Sequence, residues 1–138
     1  MSHVGDYIKG PPVTLGRDAT AQQAAELMAE RNIGSVVIVD EEGRPLGIIT
    51  ERDIVRAAAR GALGAKALEV GTSGNLLTAS RNDDIYEALR KMRERRVRHL
   101  IVVDEKGRAV GVISIRDLLE DRALRSLGDR VWWPPPEE

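Results

Sequence analysis

The stretch Gly47-Ile48-Ile49-Thr50-Glu51-Arg52-Asp53 returns later in the chain as Gly111-Val112-Ile113-Ser114-Ile115-Arg116-Asp117. In both, an apolar run ends at a hydroxyl residue and a carboxylate stands three positions further on. That order is what a strand running directly into a capped helix requires. Working outward, the shift that carries Gly47 onto Gly111 also carries Gly10 onto Gly74, Thr14 onto Thr78, Arg17 onto Arg81, Ala24 onto Ala88 and Met28 onto Met92. Glu30-Arg31 falls on Glu94-Arg95, Val39-Asp40-Glu41 on Val103-Asp104-Glu105, and Gly43-Arg44 on Gly107-Arg108, with no gap. Intervening substitutions keep their character, as in Ile33 to Val97 and Ile54 to Leu118. The chain is therefore two copies of a unit of about 60 residues, too few for a propeller or a solenoid. Two half-cores packed face to face are the simplest solution.

Each copy reads as strand, helix, strand, strand, helix. Val13-Thr14-Leu15 and Leu77-Thr78-Ala79 are short extended stretches. Thr20 with Gln23, and Asp84 with Glu87, have the spacing of capping boxes. Ala21, Ala24, Ala25 and Met28, matched by Ile85, Ala88, Leu89 and Met92, make an apolar stripe at helical spacing. Two apolar runs follow in each copy around Asp40-Glu41-Glu42-Gly43 or Asp104-Glu105-Lys106-Gly107, which are turn-rich breaks. The last helix of the first copy opens at Thr50 and stops at Gly61; that of the second opens at Ser114. The expected fold class is α/β, with repeat one over residues 8–61 and repeat two over 72–124. Residues 61–74 read as a linker plus the approach to the second unit. The segment 125–138, with Trp132-Trp133 and three consecutive prolines, reads as an extended tail that either docks on the dimer or stays without fixed contacts.

Composition narrows the function. The 138 residues are 42% apolar and 31% charged, with a formal net charge of −1. That balance disfavours a chain built to coat nucleic acid and leaves only the Arg93 to Arg98 cluster as a basic patch. No apolar run approaches the roughly 18 residues that span a bilayer, and the N-terminus lacks a signal-peptide pattern, so a cytoplasmic protein without membrane insertion is expected. Absent cysteine removes disulfides, thiolate nucleophiles and cysteine-ligated zinc, and His3 and His99 alone offer little for an imidazole metal site. No nucleophile and base can be paired, so the expectation is a protein that is not an enzyme and uses no catalytic cofactor.

The candidate site lies at the two strand-to-helix corners. Free amides at a helix start and the positive end of its dipole suit a phosphate or a polar ligand edge. Asp53 and Asp117 could each accept hydrogen bonds from adjacent ribose hydroxyls. Thr-x-x-Asp and Ser-x-x-Asp equally describe helix caps, and both roles stay open. Arg98-His99 stands opposite Gly34-Ser35, so only the second copy offers a guanidinium and an imidazole there. Arg98 reads either as a phosphate contact or as the end of a solvated run. Arg52 and Arg116 occupy first-turn positions that the helix dipole disfavours for a cation, which hints at a phosphate neighbour.

The whole pattern, from about Gly10 to Leu118, resembles the CBS domain family, with Pro12-Val13-Thr14 through Asp53-Ile54 as its first copy. The resemblance implies two β-α-β-β-α repeats paired about a pseudo-twofold axis, with clefts that bind AMP, ADP, ATP or S-adenosylmethionine as a regulatory ligand. It implies that Asp53 and Asp117 hold ribose and that Thr50 and Ser114 contact ribose or phosphate. It further implies that groups near Val13, Thr14, Ile33, Gly34, Ser35, Leu77, Thr78, Val97, Arg98 and His99 line the adenine. Asn75-Leu76 replaces Pro11-Pro12 in the second copy, a departure that should alter one cleft. The competing expectation is a structural or dimerisation module without a ligand. A homodimer is expected through Ala- and Leu-rich helices over 54–60 and 118–124, and the target enzyme or transporter that would respond is unknown.

Overall fold

The structure is a computed structural model and describes residues 2–119. The tail at 125–138, the two tryptophans and residues 120–124 of the helix expected over 118–124 lie outside the described residues. The first repeat contains β1 (Thr14–Gly16), α1 (Ala21–Arg31), β2 (Ser35–Val39), β3 (Pro45–Thr50) and α2 (Glu51–Ala59). A short α3 (Ala67–Val70) follows, and then the second repeat: β4 (Thr78–Ala79), α4 (Ile85–Arg95), β5 (His99–Val103), β6 (Ala109–Ser114) and α5 (Ile115–Leu119).

Local chemistry accounts for these boundaries. The Thr20 amide donates to Gln23 Oε1 at 2.9 Å and the Gln23 amide donates to Thr20 Oγ1 at 3.1 Å, a complete capping box for α1. The second box is only half made: Asp84 accepts from the Glu87 amide at 3.1 Å, but the Glu87 carboxylate turns to Arg90 instead of reaching back. An opposite charge one turn along the helix outcompetes a backbone amide. In the hairpin turns Asp40 Oδ1 accepts from the amides of Glu42 and Arg44, each at 2.9 Å, and Asp104 does the same for Lys106 and Arg108. Gly43 and Gly107 follow at φ of 83° and 79°, which glycine adopts without strain.

Each repeat forms a three-stranded sheet in which the first strand runs parallel and the third antiparallel to the middle one. Val36 and Ile38 of β2 pack with Ala21, Ala24, Met28 and Ala57 of their own helices. The alternate residue, Val37, packs with Ile48 and with Ile101 of the other repeat. Both faces of the middle strand are buried, so its sequence is an unbroken apolar run. The two sheets meet face to face, and the molecule is a pair of β-α-β-β-α repeats.

The segments that approach each repeat are exchanged between them. Residues 61–74, expected to lead into the second unit, instead pack on the first: Ala67 is buried in its core, and Thr72 and Ile48 exchange two backbone hydrogen bonds of 2.9 Å. A 3₁₀ turn at Val4–Tyr7 correspondingly enters the second repeat's core, where Val4 is fully buried beside Tyr7 and Ile8. This exchange explains the glycine that opens the repeated stretch. A Cβ at Gly47 would stand 2.7 Å from Leu68 Cδ2 and 2.8 Å from the Thr72 carbonyl oxygen, and one at Gly111 would stand 2.9 Å from Ile8. Leu118, expected on an exposed dimer-forming face, is instead fully buried in the second repeat's core, because its helix turns that side inward.

Candidate functional site

The two corners sit at equivalent ends of the two sheets. Ser35 opens β2 opposite Thr50, the last residue of β3, and His99 opens β5 opposite Ser114. The Glu51 amide donates to the Gly34 carbonyl at 3.1 Å and the Ile115 amide to the Arg98 carbonyl at 2.8 Å. The amide of Val37 donates to the Val13 carbonyl at 3.1 Å and that of Ile101 to the Leu77 carbonyl at 3.0 Å. Parallel pairing thus brings the first strand of each repeat to the same sheet end, and the expected residues of each copy converge there. Thr14 and Thr78 are exposed. Val13 and Ile33 pack toward the first repeat's core and Leu77 and Val97 toward the second's, so backbone and partly covered edges are what they offer a ligand.

The carboxylates serve as reciprocal caps with one oxygen each. The Thr50 amide donates to Asp53 Oδ2 at 2.9 Å and its hydroxyl lies 3.1 Å from the same oxygen; the Asp53 amide donates to Thr50 Oγ1 at 3.4 Å. Ser114 and Asp117 repeat the arrangement at 3.3 and 3.1 Å. Capping therefore does not consume the group. Asp53 Oδ1 has no partner among the described residues, whereas Asp117 Oδ1 faces Lys9 Nζ at 3.4 Å. Partial burial alone would raise the Asp117 pKa, but the bonds from Ser114 and the Lys9 ammonium outweigh it and hold the carboxyl below its ordinary range. Both groups are thus placed to accept hydrogen bonds.

His99 stands between the repeats. On β5 it shares its face with Ile101 and Val103, which pack against the other sheet. Burial pushes its pKa down, while the carboxylates of Asp117 and Asp53 oppose that shift and Arg98 adds to it. One imidazole therefore feels both corners. Arg98 is half-buried, as is Arg52, and Arg116 is exposed; neither Arg52 nor Arg116 makes an ion pair among the described residues. Asn75 has φ of 56°, a backbone state closed to the proline that stands at the equivalent Pro11, so the two approaches do differ in shape. Lys9 escaped the sequence reading. It lies one position before the aligned block begins at Gly10, and its proximity to Asp117 arises only from the exchanged approach segments. No group of three or more His, Cys, Asp or Glu among the described residues is placed to hold a metal ion.

The CBS domain model matches residues 4–60 and again 68–123. The chain belongs to the CBS domain family. A CBS domain protein from Pyrobaculum aerophilum complexed with AMP is 33% identical, with a TM-score of 0.82 over 94% of this chain and 99% of that one. The CBS domain pair of protein MJ0100, in complex with 5-methylthioadenosine and S-adenosyl-L-methionine, is 31% identical, with a TM-score of 0.77 over 86% and 98%. Among curated relatives, an uncharacterized 17.7 kDa protein from Acidianus ambivalens is 34% identical over 132 residues, 96% of this chain and 75% of the relative. Other relatives are far longer: the chain spans only 22% of an L-aspartate semialdehyde sulfurtransferase from Methanocaldococcus jannaschii. No helix among the described residues is long and apolar enough to cross a membrane.

Proposed function

We propose that this CBS pair is a cytoplasmic regulatory module that binds an adenine nucleotide or S-adenosylmethionine in clefts between its repeats and performs no catalysis. The observation that carries the reading is the twofold corner: at each, a hydroxyl residue and a carboxylate sit beside the backbone of two neighbouring strands. In this reading Asp53 and Asp117 accept from ribose hydroxyls. Thr50 and Ser114 contact ribose or phosphate, and Arg52, Arg98, His99 and Arg116 supply charge to phosphate. Adenine lies against Val13, Thr14, Ile33, Gly34 and Ser35, or against Leu77, Thr78 and Val97. AMP and adenosyl compounds bound by relatives of the same fold support it.

The repeats are assigned to residues 8–61 and 72–124, and a homodimer is proposed through the outer face of α2, where Val55 is 67% exposed beside the exposed Ala58 and Ala59. The specific observation favouring a purely structural role is that the cap bonds already employ Asp53 Oδ2 and Asp117 Oδ2. A thermal-shift panel of AMP, ADP, ATP, GTP, NAD and S-adenosylmethionine separates the two. A true ligand at a hundred times its dissociation constant stabilises the fold by about 2.7 kcal/mol. Asp53→Ala and Asp117→Ala should each remove binding at one cleft in a calorimetric titration. A panel without a single shift would leave the structural role standing.

A further inference from the structure

The charge beside the two corner carboxylates is unequal, and the inequality comes from the N-terminal arm. Lys9 Nζ lies 3.4 Å from Asp117 Oδ1, and the repeat alignment puts Ser73 at the equivalent position of the first copy. The arm is firmly anchored. Val4 is fully buried in the second repeat's core, the Val4 and Gly5 amides donate to the carbonyls of Asp83 and Arg81 at 2.8 Å, and Ile8 lies directly over Gly111. Lys9, one residue beyond Ile8, is delivered to Asp117 by that anchor. Its side chain is nevertheless 70% exposed, and an exposed pair of this kind contributes little to stability. A compact charge on a flexible stem can leave a carboxylate for a phosphate when ribose hydroxyls take over the carboxylate.

We propose that Lys9 is the anion-selecting residue of the Asp117 cleft, turning from Asp117 to the ligand's phosphate, so that this cleft favours phosphorylated over unphosphorylated adenosyl ligands more strongly than the Asp53 cleft, where Ser73 stands in its place. The inference rests on the adenosyl-binding reading above. It gives the phosphate-bearing ligand its stronger preference at one cleft and makes the other the more tolerant of uncharged or sulfonium-bearing adenosyl compounds.

AMP and adenosine share adenine and ribose and differ in the phosphate, so their affinity ratio isolates the effect. Calorimetric titrations of both are made on the full chain carrying Asp53→Ala, which silences the first cleft, with and without Lys9→Met. The expected result is a roughly tenfold loss of AMP affinity from Lys9→Met, the size of one charge-assisted hydrogen bond, with adenosine unchanged. Lys9→Arg should retain most of the AMP preference. In the complementary Asp117→Ala background, Ser73→Lys should raise the preference for AMP over adenosine at the first cleft by about tenfold. Equal losses for AMP and adenosine, or no loss for AMP, overturn the assignment while leaving the binding reading intact. Failure of the unmodified protein to bind AMP overturns the assignment, and only the absence of binding by every compound of the panel above overturns the binding reading as well.

Discussion

His99 illustrates how one side chain comes to report on two sites. Burial disfavours its charged form, and the nearby carboxylates of Asp117 and Asp53 restore only part of the loss, so its pKa in the fold lies below the ordinary 6.5. Between those two values the unfolded chain binds the extra proton and the folded chain does not. Stability therefore rises with pH across that window and falls on acidification below about 6.5. Asp117, Asp40 and Asp104 are depressed in the fold and contribute stability that is lost only as pH falls through and below the ordinary carboxylate value of 3.8. Urea unfolding at about pH 7.5 and about pH 5.5 should show a lower midpoint at the acid value, and His99→Gln should flatten most of the difference. An unchanged pH dependence in the variant would place the titrating group elsewhere. The sequence showed His99 beside Arg98 but not that the Asp53 carboxylate of the other repeat acts on it, because the pairing of faces depends on strand register.

Among the elements, the junction of strand and helix does the most. Thr50 ends β3, caps α2 and opens the candidate site, and this economy is why Gly-x-x-[Thr/Ser]-x-x-Asp was legible as a unit. Its glycine was not explicable from the sequence. It is required because a segment from outside the repeat crosses the strand, and the two crossings differ in what they present. At Gly47 an added Cβ meets the Thr72 carbonyl, which is held by its own hydrogen bonds to Ile48; at Gly111 it meets only Ile8 side-chain atoms. Backbone yields less readily than a side chain. Gly47→Ala should cost about 1–3 kcal/mol and Gly111→Ala measurably less, read as the difference in their urea midpoints. Equal costs would mean that the Thr72 crossing is looser than its hydrogen bonds indicate.

At the scale of the whole molecule, the exchanged approach segments tie the repeats together. Val4 belongs by sequence to the first repeat and by packing to the second, while Ala67 and Leu68 do the reverse. Neither core is complete without chain from the other half. The full chain should therefore unfold in a single transition, and Val4→Ala, at the remote end of the sequence, should lower its stability by about 2 kcal/mol without splitting it into two steps. A calorimetric trace in which only the second repeat melts early would contradict this coupling. The repeat, the order of elements and the paired carboxylates were determined by the sequence alone, since gapless self-similarity and hydrophobic periodicity are local properties of the chain. Which repeat the segments at 4–8 and 67–72 complete, which face of β5 carries His99, and that Lys9 stands at Asp117 were decided only by the tertiary structure. Those relations join residues far apart in sequence through the packing of apolar surfaces that either repeat could have covered, and local pattern does not distinguish the two arrangements.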